Sequence, residues 1–225
     1  MLSIETLIDQ VEEEAKKEPF PIDVNVYSAA KKEPNHPILY GGNLQSQLCF
    51  FARDLGKDEV HAGEPLIGAA GSLVRQGFYQ ALHGEKAKSK EELNSICNRI
   101  LLTNTVPYKP PGNKAYLMAV KKRFRPFVAK LLVLHWSGNQ IITLGTEAFK
   151  WFAPFGKKGE VNDFFRRSDR FTTSLDVVLN AEDETGLIHQ KTVTLLPLPH
   201  PSPLNQTYYS KFPQMLQDRL KDIKF

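Results

Sequence analysis

Cysteine is almost missing from this chain: Cys49 and Cys97 are the only two among 225 residues, and each lies inside an apolar segment. Two thiols cannot build a disulfide framework or a four-thiolate metal site, so both are expected to be ordinary buried side chains. Long apolar runs are missing too. No stretch reaches membrane-spanning length, and the first residues, rich in Glu and Lys from Glu12 to Glu18, lack the charged-then-apolar layout of a secretory leader. The expectation is a cytoplasmic protein, nucleoid-associated if bacterial, with no membrane partner. A Walker-type loop and a clustered set of carboxylates for metal ions are also lacking, which counts against a nucleotide or phosphoester hydrolase. Internal repeats and low-complexity linkers are absent, so residues 1–225 read as a single domain.

What is present is a globular composition, 41% hydrophobic, with a formal net charge of +4. That balance permits a polyanionic partner without demanding one. Lys121, Lys122, Arg123, Arg125 and Lys130 crowd one segment, and Arg166, Arg167 and Arg170 another. Such clusters read as solvated helix faces or, beside an independently argued site, as phosphate contacts.

Leu2, Ile4, Leu7, Ile8 and Val11 recur at helical spacing, which predicts an opening amphipathic helix on the outside of the domain. Prolines at 19, 21, 34 and 37 then predict an irregular segment up to Gly41-Gly42. Four short apolar runs follow: Leu48 to Ala52, Arg99 to Thr103, Gln140 to Leu144 and Thr192 to Leu198. Runs of this kind suit strands buried on both faces. Helical patterns lie between them, from Ser72 through Ala81, within Lys114 to Leu134 and over Thr146 to Phe152, and Met215, Leu216, Leu220 and Ile223 mark a last helix. The alternation predicts right-handed crossovers and a three-layer α/β/α sandwich around a central four-stranded, mainly parallel sheet. Thr172 to Glu182 fits either a further strand or a loop.

The loop after the first run, from Ala52 to Gly71, places Asp54 at the carboxyl edge of the sheet, where open α/β sheets bind ligands. Gly63, Gly68, Ala69, Ala70 and Gly71 would let backbone approach a ligand before a helix begins. The last run leads into His200-Pro201-Ser202-Pro203-Leu204-Asn205, a second polar loop at a strand end. Taken alone, Asp54 ahead of Leu55-Gly56 also reads as a turn or capping residue, Asn104 in Asn-Thr-Val-Pro as a turn residue, and His200 as a structural histidine.

Three blocks in order, ARDLGKDEVHAGEPLIGAAG, TNTVPYKPPGN and LPHPSPLN, spanning about two thirds of the chain, together resemble the uracil-DNA glycosylase superfamily. The first two are most similar to its iron-sulfur branch, family 4; the third is more similar to the best-known members, and LGTEAF from Leu144 to Phe149 to a weaker shared segment. The resemblance implies a monofunctional glycosylase that hydrolyses the N-glycosidic bond of uracil, or another deaminated base, in DNA and leaves an abasic sugar. It implies Asp54 as the group that activates water, with Glu59 in reserve for that role or as a partner of Arg53. It implies Asn104 as the reader of the base edge and His200 as the donor to the departing base. Backbone and side chains of Arg53, Leu55, Gly56 and Leu66 would line the pocket. Ser202 would reach a phosphate, with Pro203 stiffening the loop and Leu204 wedging into the duplex. The expected partner is DNA, bound by a monomer, and no metal or organic cofactor is implied.

The departures carry expectations of their own. Tyr108 replaces a cluster cysteine, so the iron-sulfur cluster is expected to be absent and its anchoring replaced by packing of the Tyr108 ring, with Trp151 or Phe152 as partners. Leu66 stands where that branch has a stacking Phe, so stacking is expected either to be weaker or to come from another ring such as Phe51 or Tyr108. Arg53 replaces the Gln or Glu beside the catalytic position, where it would pair with Glu59 or hold a phosphate. No insertion of the kind carried by covalently trapping relatives is found. A rival reading is a catalytically weak, glycosylase-like DNA-binding protein.

Overall fold

The computed structural model describes residues 3–112, 114–221 and 223; Leu2 of the opening helix and Asn113 of the PPGN turn lie outside the described residues. In chain order the elements are α1 (Ile4–Lys17), α2 (Val24–Ala29), β1 (Tyr40–Gly42), β2 (Leu48–Ala52), α3 (Lys57–Ala62), α4 (Ala69–His83), α5 (Lys90–Ser95), β3 (Ile100–Asn104), α6 (Met118–Lys130), β4 (Gln140–Leu144), α7 (Thr146–Lys150), α8 (Glu160–Arg166), β5 (Leu175–Glu182), β6 (Ile188–Leu198), α9 (Gln206–Tyr209) and α10 (Phe212–Leu220). Among the described residues no helix is long and apolar enough to cross a membrane.

The sheet has six strands, ordered β1-β3-β2-β4-β6-β5, rather than the four expected. The four apolar runs form its parallel centre, β3-β2-β4-β6. Two antiparallel strands close the edges. β1 escaped the sequence pattern, and Thr172 to Glu182, open between strand and loop, supplies β5; both have a physical reason. β1 is three residues, two of them glycine. β5 buries only one face, alternating between buried and exposed positions, so it lacks the continuous apolar run of a strand covered on both sides.

Alternate side chains of the central strands supply two cores. Cys49, Phe51, Leu101, Ile141, Val193 and Leu195 face a layer built from α1, α6, α7 and α8. Leu48, Phe50, Ile100, Leu102, Ile142 and Leu198 face α4 and α10 on the other side. The opening helix belongs to the first layer: Leu7, Val11 and Ala15 form a buried stripe, and Arg123 of α6 donates from Nε to Glu14 Oε1 at 2.9 Å. α4 begins at Ala69, three residues earlier than expected, so Ala69, Ala70 and Gly71 form its first turn. α4 meets α10 closely at Gly77, where a Cβ would stand 2.7 Å from Leu216 Cδ2.

The loop joining β2 to α4 is fastened by one carboxylate. Glu59 accepts from the backbone N–H of Gly56 at 2.9 Å, Ile67 at 3.1 Å and Gly68 at 2.8 Å. These are charge-assisted bonds to donors that the starts of α3 and α4 would otherwise leave open. Just before α4, Leu66 holds a left-handed backbone, φ 56°, which costs a non-glycine residue about 1–2 kcal/mol. Burial of its side chain in the α4 core, worth about 1.5–3 kcal/mol, offsets that strain. Gly71 makes room for the turn rather than for a ligand, because a Cβ there would meet the Leu66 carbonyl oxygen at 1.7 Å.

Two expectations follow for stability. Glu59→Ala strands three amide donors and should cost about 2–4 kcal/mol by urea denaturation, with faster amide exchange at Ile67 and Gly68 and a smaller loss in Glu59→Gln. Activity lost with unchanged stability and exchange would instead give Glu59 a chemical role. Gly71→Ala forces the Leu66 turn apart and should lower the melting temperature by several degrees, the scale of a backbone clash in a small domain; an unchanged melt would refute the close approach.

Candidate functional site at the carboxyl edge

Because β3, β2, β4 and β6 run parallel, their carboxyl ends lie side by side. Asn104 ends β3 opposite Ala52, Arg53 and Asp54 follow β2, Gly145 and Glu147 follow β4, and His200 lies two residues past β6. Three strand spacings, about 14 Å, separate the first from the last. Thr105 stitches the first two segments together, donating its backbone N–H to Ala52 O at 3.0 Å and to Arg53 O at 3.1 Å. The Gly145 N–H donates to Leu198 O at 2.8 Å and fixes the other two. Gly145 has φ +90°, and a Cβ on it would come within 3.0 Å of His200 Cβ.

Asp54 is the most constrained group of this edge. Its side chain is 3% exposed, and neither carboxylate oxygen receives a well-formed hydrogen bond from the described residues. Arg53 Nε lies 2.8 Å from Oδ2. Burial pushes the Asp54 carboxyl above the usual aspartate range; Arg53, Lys121 and the backbone N–H of Tyr116 pull it back, and Glu147 adds to the rise. Lys121, from α6, is itself buried and contacts Glu147 of α7. Neither Glu147 nor Tyr116 was anticipated. The strand-end rule that found Asp54 applies equally to Glu147, which sits three residues past β4. Tyr116 carries no comparable signal; it is buried, and its hydroxyl has no hydrogen-bond partner among the described residues.

Asn104 is 2% exposed and its Oδ1 is likewise unpartnered. His200 is half-buried; burial, reinforced by Arg53, holds its imidazole below the ordinary histidine range and therefore neutral near pH 7. Its carbonyl accepts from the Ser202 N–H at 2.9 Å and from Asn205 Nδ2 at 3.1 Å, which folds HPSPLN into a tight loop. Ser202 Oγ accepts from the Leu204 N–H at 3.3 Å. Pro203 is exposed, and Leu204, 91% exposed, stands clear of the surface.

Other expected contributors fall elsewhere. Leu55 turns its side chain into a small core with Tyr27, Ile38 and Val60, so only its backbone and that of Gly56 face the edge. Leu66 is buried against α4. Neither proposed stacking ring is available: Phe51 lies in the core between Trp151 and Phe152. Tyr108, fully buried, packs on Phe20 and Phe124, not on Trp151 or Phe152, and donates its hydroxyl to Asn35 O at 2.8 Å. The reason is register: Phe51 alternates with Phe50 across the sheet and must point into one core or the other.

The basic clusters are largely committed to local partners. Lys121 pairs with Glu147, Arg123 with Glu14, Arg166 with Asp163 and Arg167 with Asp169. Arg125 lies over the Trp151 ring and Arg170 over Phe171. A broad cleft between α6 and β5, lined by Lys122, Arg125, Asn180 and Asp183, contains none of Asp54, Asn104, Glu147 and His200. Among the described residues no three His, Cys, Asp or Glu side chains gather as a metal site. The two thiols do not fit an iron-sulfur cluster, since Cys49 packs into the α1/α6 core and Cys97 against the α4/α10 core on the opposite face.

A buried carboxylate and carboxamide with unmet hydrogen-bonding capacity, a neutral imidazole, and an exposed apolar tip on a proline-stiffened loop thus share one sheet edge. Such an edge can orient water, read a polar ring and meet a nucleic acid. No curated protein matches the sequence closely enough to count as a relative. The family model of the uracil DNA glycosylase superfamily matches residues 40–224, a span that takes in every strand and every group of this edge, and the chain belongs to that superfamily.

Proposed function

We propose that the protein is a monofunctional DNA glycosylase, with residues 1–225 acting as one domain and monomer, that removes uracil from DNA and leaves an abasic site. The observation that carries this reading is the pair of unsatisfied buried groups, Asp54 and Asn104, on adjacent strand ends. Buried polar atoms cost stability unless something completes their hydrogen bonds, and a bound base and its water would do so.

In the reaction the C1′–N1 bond breaks, its electron pair leaves with uracil, and the sugar gains oxocarbenium character. Asp54 orients water toward C1′, stabilises the positive sugar and accepts the water proton. The carboxamide of Asn104 offers an acceptor and two donors, matching N3–H and O4 of uracil and opposing the amino group of cytosine. His200, neutral, donates to O2 of the leaving anion. The Arg53–Gly56 backbone bounds the pocket, while Leu66, buried against α4, holds the loop that follows it. Leu204, with Ser202 and Pro203 behind it, fills the space left by the extruded nucleotide. Leu117 and Met118, which follow Tyr116 at the start of α6, are further exposed apolar side chains.

Two outcomes test the reading. Wild-type protein in chelator should release uracil from an oligonucleotide, giving alkali-labile strands, and Asp54→Ala should reduce the rate about 100-fold or more with DNA affinity nearly intact. DNA binding without base release by the wild type would establish the weak-binder alternative. Only ionised Asp54 serves as base, and its carboxyl is raised by burial, so the rate should fall as pH drops through a midpoint above the ordinary aspartate value. A rate flat down to pH 4 would remove Asp54 from the role.

A further inference from the structure

Lys121 and Glu147 have no part in the hydrolysis described above, yet their setting is unlike that of a surface ion pair. The Lys121 side chain is 4% exposed while that of Glu147 is 46% exposed, and Nζ contacts Oε2 directly. Lys121 projects from the end of the first turn of α6, whose N–H at Lys121 donates to Leu117 O at 3.2 Å. Glu147 projects from the first turn of α7. An ammonium stripped of water needs negative charge around it. The half-solvated Glu147 provides one side of that shell, and the buried Asp54 leaves the adjacent strand end, since Phe51 of β2 pairs with Thr143 of β4, and feels the Lys121 charge. The sheet edge therefore carries charges of alternating sign: Arg53, Asp54, Lys121, Glu147.

We propose that Lys121 and Glu147 are a positioning pair that sets the charge state of Asp54, Lys121 keeping the carboxylate ionised and Glu147 limiting how strongly it does so. The proposal rests on the reading of Asp54 as the group that activates water. The physical need is a compromise. A buried carboxylate left to itself stays protonated and cannot accept a proton from water, whereas one held by two full cations is too weak a base. The charged and polar groups facing Asp54 are Arg53 from its own segment, the Tyr116 backbone and ring from the segment before α6, Lys121 from α6 and Glu147 from α7. His200, from the loop after β6, is coupled to Arg53. Lys150 acts on Glu147 from the same helix. Within this set Lys121 and Glu147 touch each other but act on Asp54 in opposite directions.

That opposition separates an electrostatic role from a merely structural one. Lys121→Met removes a charge that favours ionised Asp54, so the acid limb of the single-turnover pH–rate profile on a uracil oligonucleotide should move up by about one pH unit. Glu147→Gln removes a charge that disfavours it, so the limb should move down. Lys121→Arg keeps the charge and should leave the limb near its wild-type position. The Asp54 carboxyl carbon, titrated by NMR in the same proteins, should shift its midpoint with the same signs, and thermal melts identify which variants are folded. If Lys121→Met does not fold, the downward shift in Glu147→Gln decides alone, because general damage does not produce it. Unmoved midpoints, or equal losses of rate at every pH in both variants, would overturn the proposal. Wild-type protein that releases no base would overturn the reading of Asp54 instead, and the NMR midpoints would still decide whether the pair controls its charge.

Discussion

The parallel register of β3, β2, β4 and β6 decides where everything polar must go. β2 and β3, five residues each and buried on both faces, leave no room for a charge along their length, and β4 and the last part of β6 are nearly as enclosed, so the first polar side chains after each run emerge together at one edge. Asn104, Asp54, Glu147 and His200 are neighbours because their strands are, although 50, 93 and 53 residues of sequence separate each from the next across the edge. The backbone bonds of Thr105 and Gly145 hold the four ends at fixed spacing, so the side chains inherit positions from the sheet rather than from flexible loops.

Holding such an edge together has a physical cost that the surrounding elements offset. Asp54 is buried without full hydrogen bonding, Leu66 adopts a left-handed backbone, and Lys121 is removed from water. Each is the kind of local penalty that persists only where its neighbours over-determine it. The neighbours here are identifiable. Glu59 pins three amides of the loop that carries Leu66, the two hydrophobic cores clamp the strands from either side, and Arg53 and Lys121 supply the field that a desolvated carboxylate requires.

Much of this was legible in the sequence because it follows from strong, local rules. Continuous apolar runs located the four parallel strands to within a few residues, the strand-end rule then pointed to Asp54 and the His200 loop, and the family resemblance singled out Asn104. What escaped depended on geometry that no single segment encodes. β5 was undecidable because a one-faced strand and an extended loop share an alternating pattern, and β1 because three residues carry no pattern. The fate of Phe51 turned on which face of the sheet its side chain took, a choice that a shift of one residue in register inverts, and that of Tyr108, in the loop after β3, on contacts with Phe20, Asn35 and Phe124 far away in sequence. Lys121 read as one member of a basic cluster because nothing in its own segment reveals that Glu147, 26 residues on, meets it.

The first layer of helices also shows where the molecule stops being divisible. α1 lies wholly outside residues 40–224, the span shared with the superfamily, yet Leu7 and Val11 are as deeply buried as any strand residue, and the carbonyls that receive the Tyr108 hydroxyl belong to Val11 and Asn35. A chain trimmed to the shared span would bare Phe124 and Val128 to water and leave a buried phenol without its acceptor. The span matched by the family model and the span needed to close the core are thus different. Residues 3–39 cover the first-layer core, and their removal would reach the sheet edge through α6, the helix that carries Lys121.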